Sequence, residues 1–439
     1  ALLMASGSLS IALAADSPNL VPDKPAKYSP HYWCTWYVQN YWQQRGGEIT
    51  DFNKLTNLGA QQEMSHHNIF NEKDGWAHYM KRGREDLTFL IDHGWQPVEG
   101  DWDKLPGRPY FNFRADAKDF PSYAGMEPQE QMKTINEELK ALGWRGLGIW
   151  VRGQVSLAEM ENFTKWSKHA CVTYWKIDGG GIKNFYSYKL KEEIFPELVL
   201  EYICGANGPL NPDWHDSTRK EYPSPFAVGG AKHEVSQRIM RNCDVFRTYD
   251  VAPILVSTST MRRIHDILEQ TQNKPEYIAQ LNIQDDTQVA AAMGCLVACK
   301  RHPNYMERTL NGEDFHHQIS GKRMIQYRMN EVERLGRWQR IAPAFAAGEG
   351  SYFSSEHDLI DHYPHTKQHT WFSPVYGKMV YQIAPAIMCR NIPLPIVEVT
   401  GAAPYVMASH FPNGPVGCAT EGRVKPEYQW YEPRAIVNI

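Results

Sequence analysis

The segment Thr173-Tyr174-Trp175-Lys176-Ile177-Asp178-Gly179-Gly180-Gly181 sets a cation and a carboxylate two residues apart at the end of an apolar run. On a strand that spacing turns Lys176 and Asp178 to one face and Ile177 to the other. An ammonium within a few Å holds a carboxylate ionised, and an ionised carboxylate can act as a nucleophile. Three glycines without side chains then leave room above it for a ligand. An Asp that only caps a turn beside a solvated Lys has the same spelling, so the reading turns on the company this segment keeps.

That company is a series of polar residues closing other apolar runs. One run ends Leu90-Ile91-Asp92-His93-Gly94-Trp95, another holds Glu201-Tyr202-Ile203-Cys204, and a third ends Phe246-Arg247-Thr248-Tyr249-Asp250. In a parallel barrel the reacting groups sit at the C-terminal ends of strands, so Asp178 and Asp250 are expected to face one pocket. Two such carboxylates suit retaining glycoside hydrolysis, in which one attacks the anomeric carbon while the other protonates the leaving oxygen and then deprotonates water. Asp244, in Arg241-Asn242-Cys243-Asp244, competes with Asp250 for the second role. It follows an amphipathic stretch and precedes Val245-Phe246, which places it at the start of its strand, on the opposite end of the barrel.

The ordered series resembles glycoside hydrolase clan D, the α-galactosidase-like families 27 and 36, over roughly residues 31 to 300. The resemblance begins with the aromatic start at Trp33 to Trp36. It continues through Asp92-His93-Gly94-Trp95, Gly100-Asp101-Trp102, Phe120-Pro121 and the third-strand segment Leu142 to Val151, which contains Trp150. Lys176-Ile177-Asp178 is similar to the family's Lys-x-Asp, and Arg247-Thr248-Tyr249-Asp250 to its Arg-x-x-Asp. The resemblance implies Asp178 as nucleophile and Asp250 as general acid/base, with Lys176, Asp92 and Arg247 binding sugar hydroxyls or ring substituents. It extends substrate binding to Trp33, His93, Trp150 and Cys204. His93 stands where the family has a second Asp, which changes the charge and reach of the specificity pocket. Cys204-Gly205-Ala206-Asn207-Gly208-Pro209 is closer to the glycine-rich loop of family 36 than to the Cys-Glu-Trp of family 27. The same carboxylates would serve a glycosidase for another sugar or a transglycosidase, and a carbohydrate-binding barrel without turnover is the reading from a different class.

Composition bounds the alternatives. A formal charge of -4, from 46 basic and 50 acidic residues mixed along the chain, gives no basic stripe for a phosphate backbone, so no nucleic-acid partner is expected. The 14 Trp and 23 Tyr provide rings that suit the apolar faces of sugars or a large core. The expected partner is an oligosaccharide or glycoconjugate. Two carboxylates need no metal or organic cofactor, and none is expected. His66-His67 and the series His357, His362, His365 and His369 lack the spacing of a zinc site and read as loop histidines. Asp285-Asp286 reads as pocket rim or as an N-cap for the stretch after it. The eight Cys include no CxxC pair, and several sit in apolar runs, where buried thiols are expected. The apolar start ending Ala12-Leu13-Ala14 has the form of a secretory signal remnant and predicts export. No later apolar run reaches the 18 residues of a membrane span.

The elements that must position these groups are strands at His31–Tyr37, Thr88–Asp92, Gly146–Val151, Val172–Asp178, Leu198–Cys204, Val245–Asp250 and Ile278–Ile283. Helical patterns fall between them at Gln129–Leu142, Leu157–His169, His233–Arg241 and Ser259–Gln270. An eighth strand fits Cys295–Cys299 or Ala386–Cys389. Alternating strands and helices at this length predict an α/β fold, a (β/α)8 TIM barrel. Three regions are expected: a signal remnant and linker over 1–27, the catalytic barrel over 28–394, and the beginning of an antiparallel C-terminal β-domain over 395–439.

Overall fold

The computed structural model describes residues 21–23, 29–42, 57–97, 113–152, 157–178, 186–203, 236–248, 257–283, 287–296, 298–299, 322–364, 379–423 and 435–439. Eight parallel strands form its centre: β1 Tyr32–Cys34, β2 Thr88–Ile91, β3 Gly146–Arg152, β4 Tyr174–Asp178, β5 Val199–Ile203, β6 Val245–Arg247, β7 Gln280–Asn282 and β8 Ala298–Cys299. They are ordered β7-β6-β5-β4-β3-β2-β1-β8. The ring closes at a short seam. Tyr32 and Trp33 pair with Ala298 and Cys299, while on the other side Leu296 N–H donates to Leu281 C=O at 2.8 Å and Ile283 N–H to Leu296 C=O at 3.0 Å. The eighth strand is therefore the one at Leu296 to Cys299, and the rival run at Ile387–Arg390 lies in another sheet.

Strand register decides which residues share the lumen. Tyr32 pairs with Thr88, Gly148 with Tyr174, Lys176 with Glu201, and Arg247 with Asn282. Alternation then sends Trp33, Phe89, Ile149, Trp175, Leu200 and Phe246 outward, where all are buried in one apolar cluster with residues of the covering helices. Helices Pro128–Ala141, Leu157–Ala170, Tyr186–Ile194 and Ser257–Thr271 supply much of that cover. Trp175 Nε1–H also donates to Ser167 Oγ at 2.9 Å, satisfying the polar edge of a buried ring. Gly148 lets the lumen fill: a Cβ there would lie 3.1 Å from Tyr174 Cβ and 3.0 Å from Thr88 Cγ2.

Several elements differ from the sequence reading. The run His31–Tyr37 splits into the three-residue β1 and a helix over Trp36–Trp42, and a helix at Lys322–Ile341 follows β8 in the chain. The long helix is tied to the barrel by ions. Arg340 Nε donates to Asp86 Oδ1 at 2.8 Å, and Glu333 Oε2 accepts from Arg82 Nε at 2.9 Å.

The β-layer begins well before position 395. A four-stranded sheet is ordered β15 Val416–Glu421, β14 Tyr405–His410, β12 Ile387–Arg390 and β9 Tyr352–Ser354, β10 Asp358–Pro364 pairs with β11 Met379–Pro385, and β13 Ile396–Val399 pairs with β16 Ala435–Asn438. A boundary at 395 would cut that sheet between β12 and β14. These two strands are moreover parallel, so the sheet is mixed rather than purely antiparallel. Arg390 fastens the layer to the barrel by donating to Met293 C=O at 2.9 Å and Ala346 C=O at 2.6 Å. Among the described residues no helix is long and apolar enough to cross a membrane.

Candidate active site

Barrel lumens are commonly filled by branched aliphatic side chains, but this one carries charge. At the C-terminal end of β2, Asp92 accepts from Lys176 Nζ at 2.5 Å and from the Cys34 thiol at 2.9 Å, both on Oδ2. Its backbone N–H is held by Thr35 Oγ1 at 2.9 Å. Lys176 also lies 3.7 Å from Asp178 Oδ2, and Arg247 Nη2 donates to the same Asp178 oxygen at 3.1 Å. Two residues deeper than Asp178 in register terms, Glu201 sits 3.6 Å from Arg247 Nε. Its carboxylate accepts from Tyr32 Oη at 3.0 Å, Tyr174 Oη at 2.7 Å and Asn282 Nδ2 at 2.7 Å.

Exposure separates the members of this cluster. The side chains of Lys176 and Asp92 are 3% exposed and those of Arg247 and Glu201 are 0%, whereas Asp178 is 25% exposed. Of the five ions only Asp178 reaches solvent, so it is the one that a molecule entering the barrel mouth can touch. Burial is the largest single influence on Lys176 and disfavours its charge, but Asp92, with smaller contributions from Cys34 and Asp178, more than offsets it and raises the ammonium above its usual range. A permanent cation therefore stands beside Asp178 throughout the physiological range. At the rim the His93 ring stacks on Trp150, with centroids 4.0 Å apart and planes at 13°. His93 N–H donates to Asp92 Oδ1 at 2.9 Å.

The expected site residues Asp92, His93, Trp150, Lys176, Asp178 and Arg247 thus converge. Trp33 does not join them, because it lies one residue out of phase with the lumen-facing Tyr32 and Cys34. It is 1% exposed and packs its ring among Tyr79, Phe89 and Trp144, at centroid distances of 5.6, 5.3 and 6.2 Å. Trp33 is a core residue. Trp33→Leu is expected to destabilise the fold by about 2–4 kcal/mol through the cavity it leaves. Urea unfolding with an unchanged slope is the check.

Asp250 and Cys204 lie outside the described residues, as do Asp285 and Asp286. Asp244 is at the start of β6, where it accepts from Leu200 N–H at 2.8 Å and from Lys191 Nζ at 2.5 Å. Burial raises its pKa against the pull of Lys191. Its bonds run to the N-terminal end of β5, remote from the end at which Asp178 opens. His66 contacts Glu138 and Tyr123, and among the described residues no group of three His, Cys, Asp or Glu side chains is placed to hold a metal ion. Among the described residues Cys34, Cys171, Cys243, Cys295, Cys389 and Cys418 are free thiols.

The hub at Glu201, together with Tyr32, Cys34, Tyr174 and Asn282, carries no mark of a site in the sequence reading. Its signal was available: Glu201 is the sole charged residue in the apolar strand Val199–Ile203. A lone carboxylate in a strand covered on its outer face must point into the lumen and must find donors there.

No protein-family model matches the chain, and none of the curated proteins does. Among solved structures the chain is similar to a noncanonic maltogenic alpha-amylase from Thermotoga neapolitana, at 8% identity and a TM-score of 0.37, over 93% of this chain and 98% of that one. It is also similar to the carboxyl transferase domain of Rhizobium etli pyruvate carboxylase, at 12% identity and a TM-score of 0.33 over 72% of this chain. It spans about half of that protein, 49% of its length. A third likeness, to the protein AmyP in complex with maltotriose, has 11% identity and a TM-score of 0.33, with 80% and 87% covered. Likenesses this distant carry no chemistry across, and the barrel rests on its own strand pairing.

Proposed function

We propose that the chain is an exported retaining glycoside hydrolase that removes a terminal α-linked sugar, α-galactosidase-like, from an oligosaccharide or glycoconjugate substrate. The observation that carries the proposal is the setting of Asp178: among the described ions of the lumen it is the one carboxylate open to solvent, at a strand end and held between Lys176 and Arg247. Cations on both sides keep the attacking oxygen ionised. In the first step an Asp178 oxygen bonds to the anomeric carbon as the bond to the leaving oxygen breaks, and Asp250 supplies the proton that the leaving oxygen takes. Asp250 then takes a proton from water, the water oxygen attacks the same carbon, and the Asp178 ester is released with net retention. The buried Asp92–Lys176 pair offers hydroxyl partners at the pocket floor, and the stacked His93–Trp150 rings offer an apolar wall for a sugar face. His93 at this wall makes the identity of the sugar an open variable within the α-galactoside-like class.

The test is a panel of aryl α- and β-glycosides, with the first-formed anomer read by proton NMR. Cleavage of one α-glycoside with the α-anomer appearing first supports the reading. Release of the β-anomer first, or binding of sugars without cleavage of any panel member, overturns it.

A further inference from the structure

Glu201 has no direct part in the reaction just proposed, yet like Arg247 its side chain is fully enclosed. Both of its oxygens are met by donors: Tyr32 on Oε1, Tyr174 and Asn282 on Oε2, and the Arg247 guanidinium 3.6 Å from Oε1. Burial and the neighbouring Glu201 charge raise both tyrosine hydroxyls well above their ordinary range, so they remain donors at any working pH. Arg247 in turn donates to Asp178 Oδ2 at 3.1 Å. One guanidinium is therefore shared between a sealed carboxylate and an open one.

We infer that Glu201 is a positioning residue that acts through Arg247: it fixes the guanidinium's orientation and draws on its charge, leaving Asp178 ionised but still basic enough to attack. This rests on the assignment of Asp178 as nucleophile. The charges facing Asp178 among the described residues are Lys176 on its own strand, Arg247 on β6, Asp92 on β2 behind Lys176, and Glu201 on β5 behind Arg247. Two cations against two further carboxylates is a balanced set, and removing Glu201's charge tips it toward the cations. A carboxylate facing more positive charge titrates lower. Tyr174→Phe does the reverse: it withdraws a donor from Glu201, which then draws harder on Arg247, and Asp178 titrates higher.

The experiment follows the carboxyl carbon-13 signal of Asp178, assigned by its loss in Asp178→Asn, through a pH titration of wild type, Glu201→Gln and Tyr174→Phe. The acid limb of kcat/KM is recorded beside it. Glu201→Gln is expected to lower the Asp178 midpoint by roughly one unit, with the acid limb moving by the same amount, and Tyr174→Phe to raise it by a smaller step. Glu201→Asp, which keeps the charge, is expected to restore most of the wild-type midpoint. A midpoint that stays in place in Glu201→Gln overturns the inference. Should that variant not fold, an unmoved or lowered midpoint in Tyr174→Phe overturns it instead. The titration needs no substrate, so a chain that cleaves no glycoside fails the functional proposal without touching this measurement. A chain that cleaves glycosides with a stationary Asp178 midpoint fails this inference alone.

Discussion

Asp178→Gly is expected to lower kcat on an activated aryl glycoside by ~10⁴-fold or more, because the covalent route loses its only attacking atom. That corresponds to about 5.5 kcal/mol of transition-state stabilisation. The substitution also removes the solvent-accessible member of the five described lumen ions and leaves a space beside Lys176 and Arg247. A small anion fits such a space. Added azide should enter it, attack the anomeric carbon from the nucleophile's side and restore a measurable part of the rate. The product would be a β-glycosyl azide from an α-glycoside, one inversion instead of two, and NMR of the isolated product reads it directly. If azide gives no azido sugar while the variant remains folded, Asp178 is not the nucleophile.

The second large effect concerns Lys176→Met. The ammonium is 2.5 Å from Asp92 and both side chains are 3% exposed, so its removal leaves a carboxylate buried without its cation. Breaking one side of a buried pair costs about 3–5 kcal/mol, whereas replacing both partners with uncharged groups costs far less. The double variant Asp92→Asn/Lys176→Met should therefore unfold at a higher denaturant concentration than the single one, and a double-mutant cycle gives the coupling. The pH sign follows from the raised Lys176 pKa. Stabilisation from this ammonium is fully present below the unfolded value near 10.5 and is lost as pH climbs through the higher folded value. Wild type should accordingly weaken relative to the double variant only in strong alkali. In Lys176→Met the acid limb of activity should also move up, since Asp178 loses a cation 3.7 Å away.

Much of the barrel was legible because parallel strands are covered on the outside, so their apolar runs stand out between amphipathic helices. The runs at Thr88, Gly146, Val199 and Val245 became strands that start within a residue or so of where the pattern began. Strand ends were harder. The aromatic stretch from Tyr32 to Trp42 suits strand and helix alike, and the turn at Thr35 is set by its bond to Asp92 N–H, a contact with the end of the neighbouring strand 57 positions away. The helix Lys322–Ile341 buries Val332 and Leu335 in the core but is otherwise rich in Arg and Glu and draws part of its attachment from ions, so its sparse apolar positions did not stand out as a periodic stripe. The site was legible where two charged residues shared one strand, as in Lys176 and Asp178. It was illegible where the partner came from another strand: nothing local couples Glu201 to Tyr32, 169 positions away. Trp33 was misplaced for a related reason. Only the pairing of Tyr32 with Thr88 and Ala298 fixes which of two neighbouring aromatics faces inward.

The seam between β1 and β8 has a bearing on how the chain reaches this state. Tyr32 and Trp33 find their last strand partners at Ala298 and Cys299, so a nascent chain that has yielded β1 to β7 is a curled open sheet with two raw edges. Closure must wait for one of the longest-range pairings in the barrel, and such contacts form slowly because chain entropy is lost before they reward it. During that interval the unpaired edges invite strands from neighbouring chains. Production of the protein should thus be limited by the lifetime of the unclosed sheet during synthesis rather than by the stability of the finished ring.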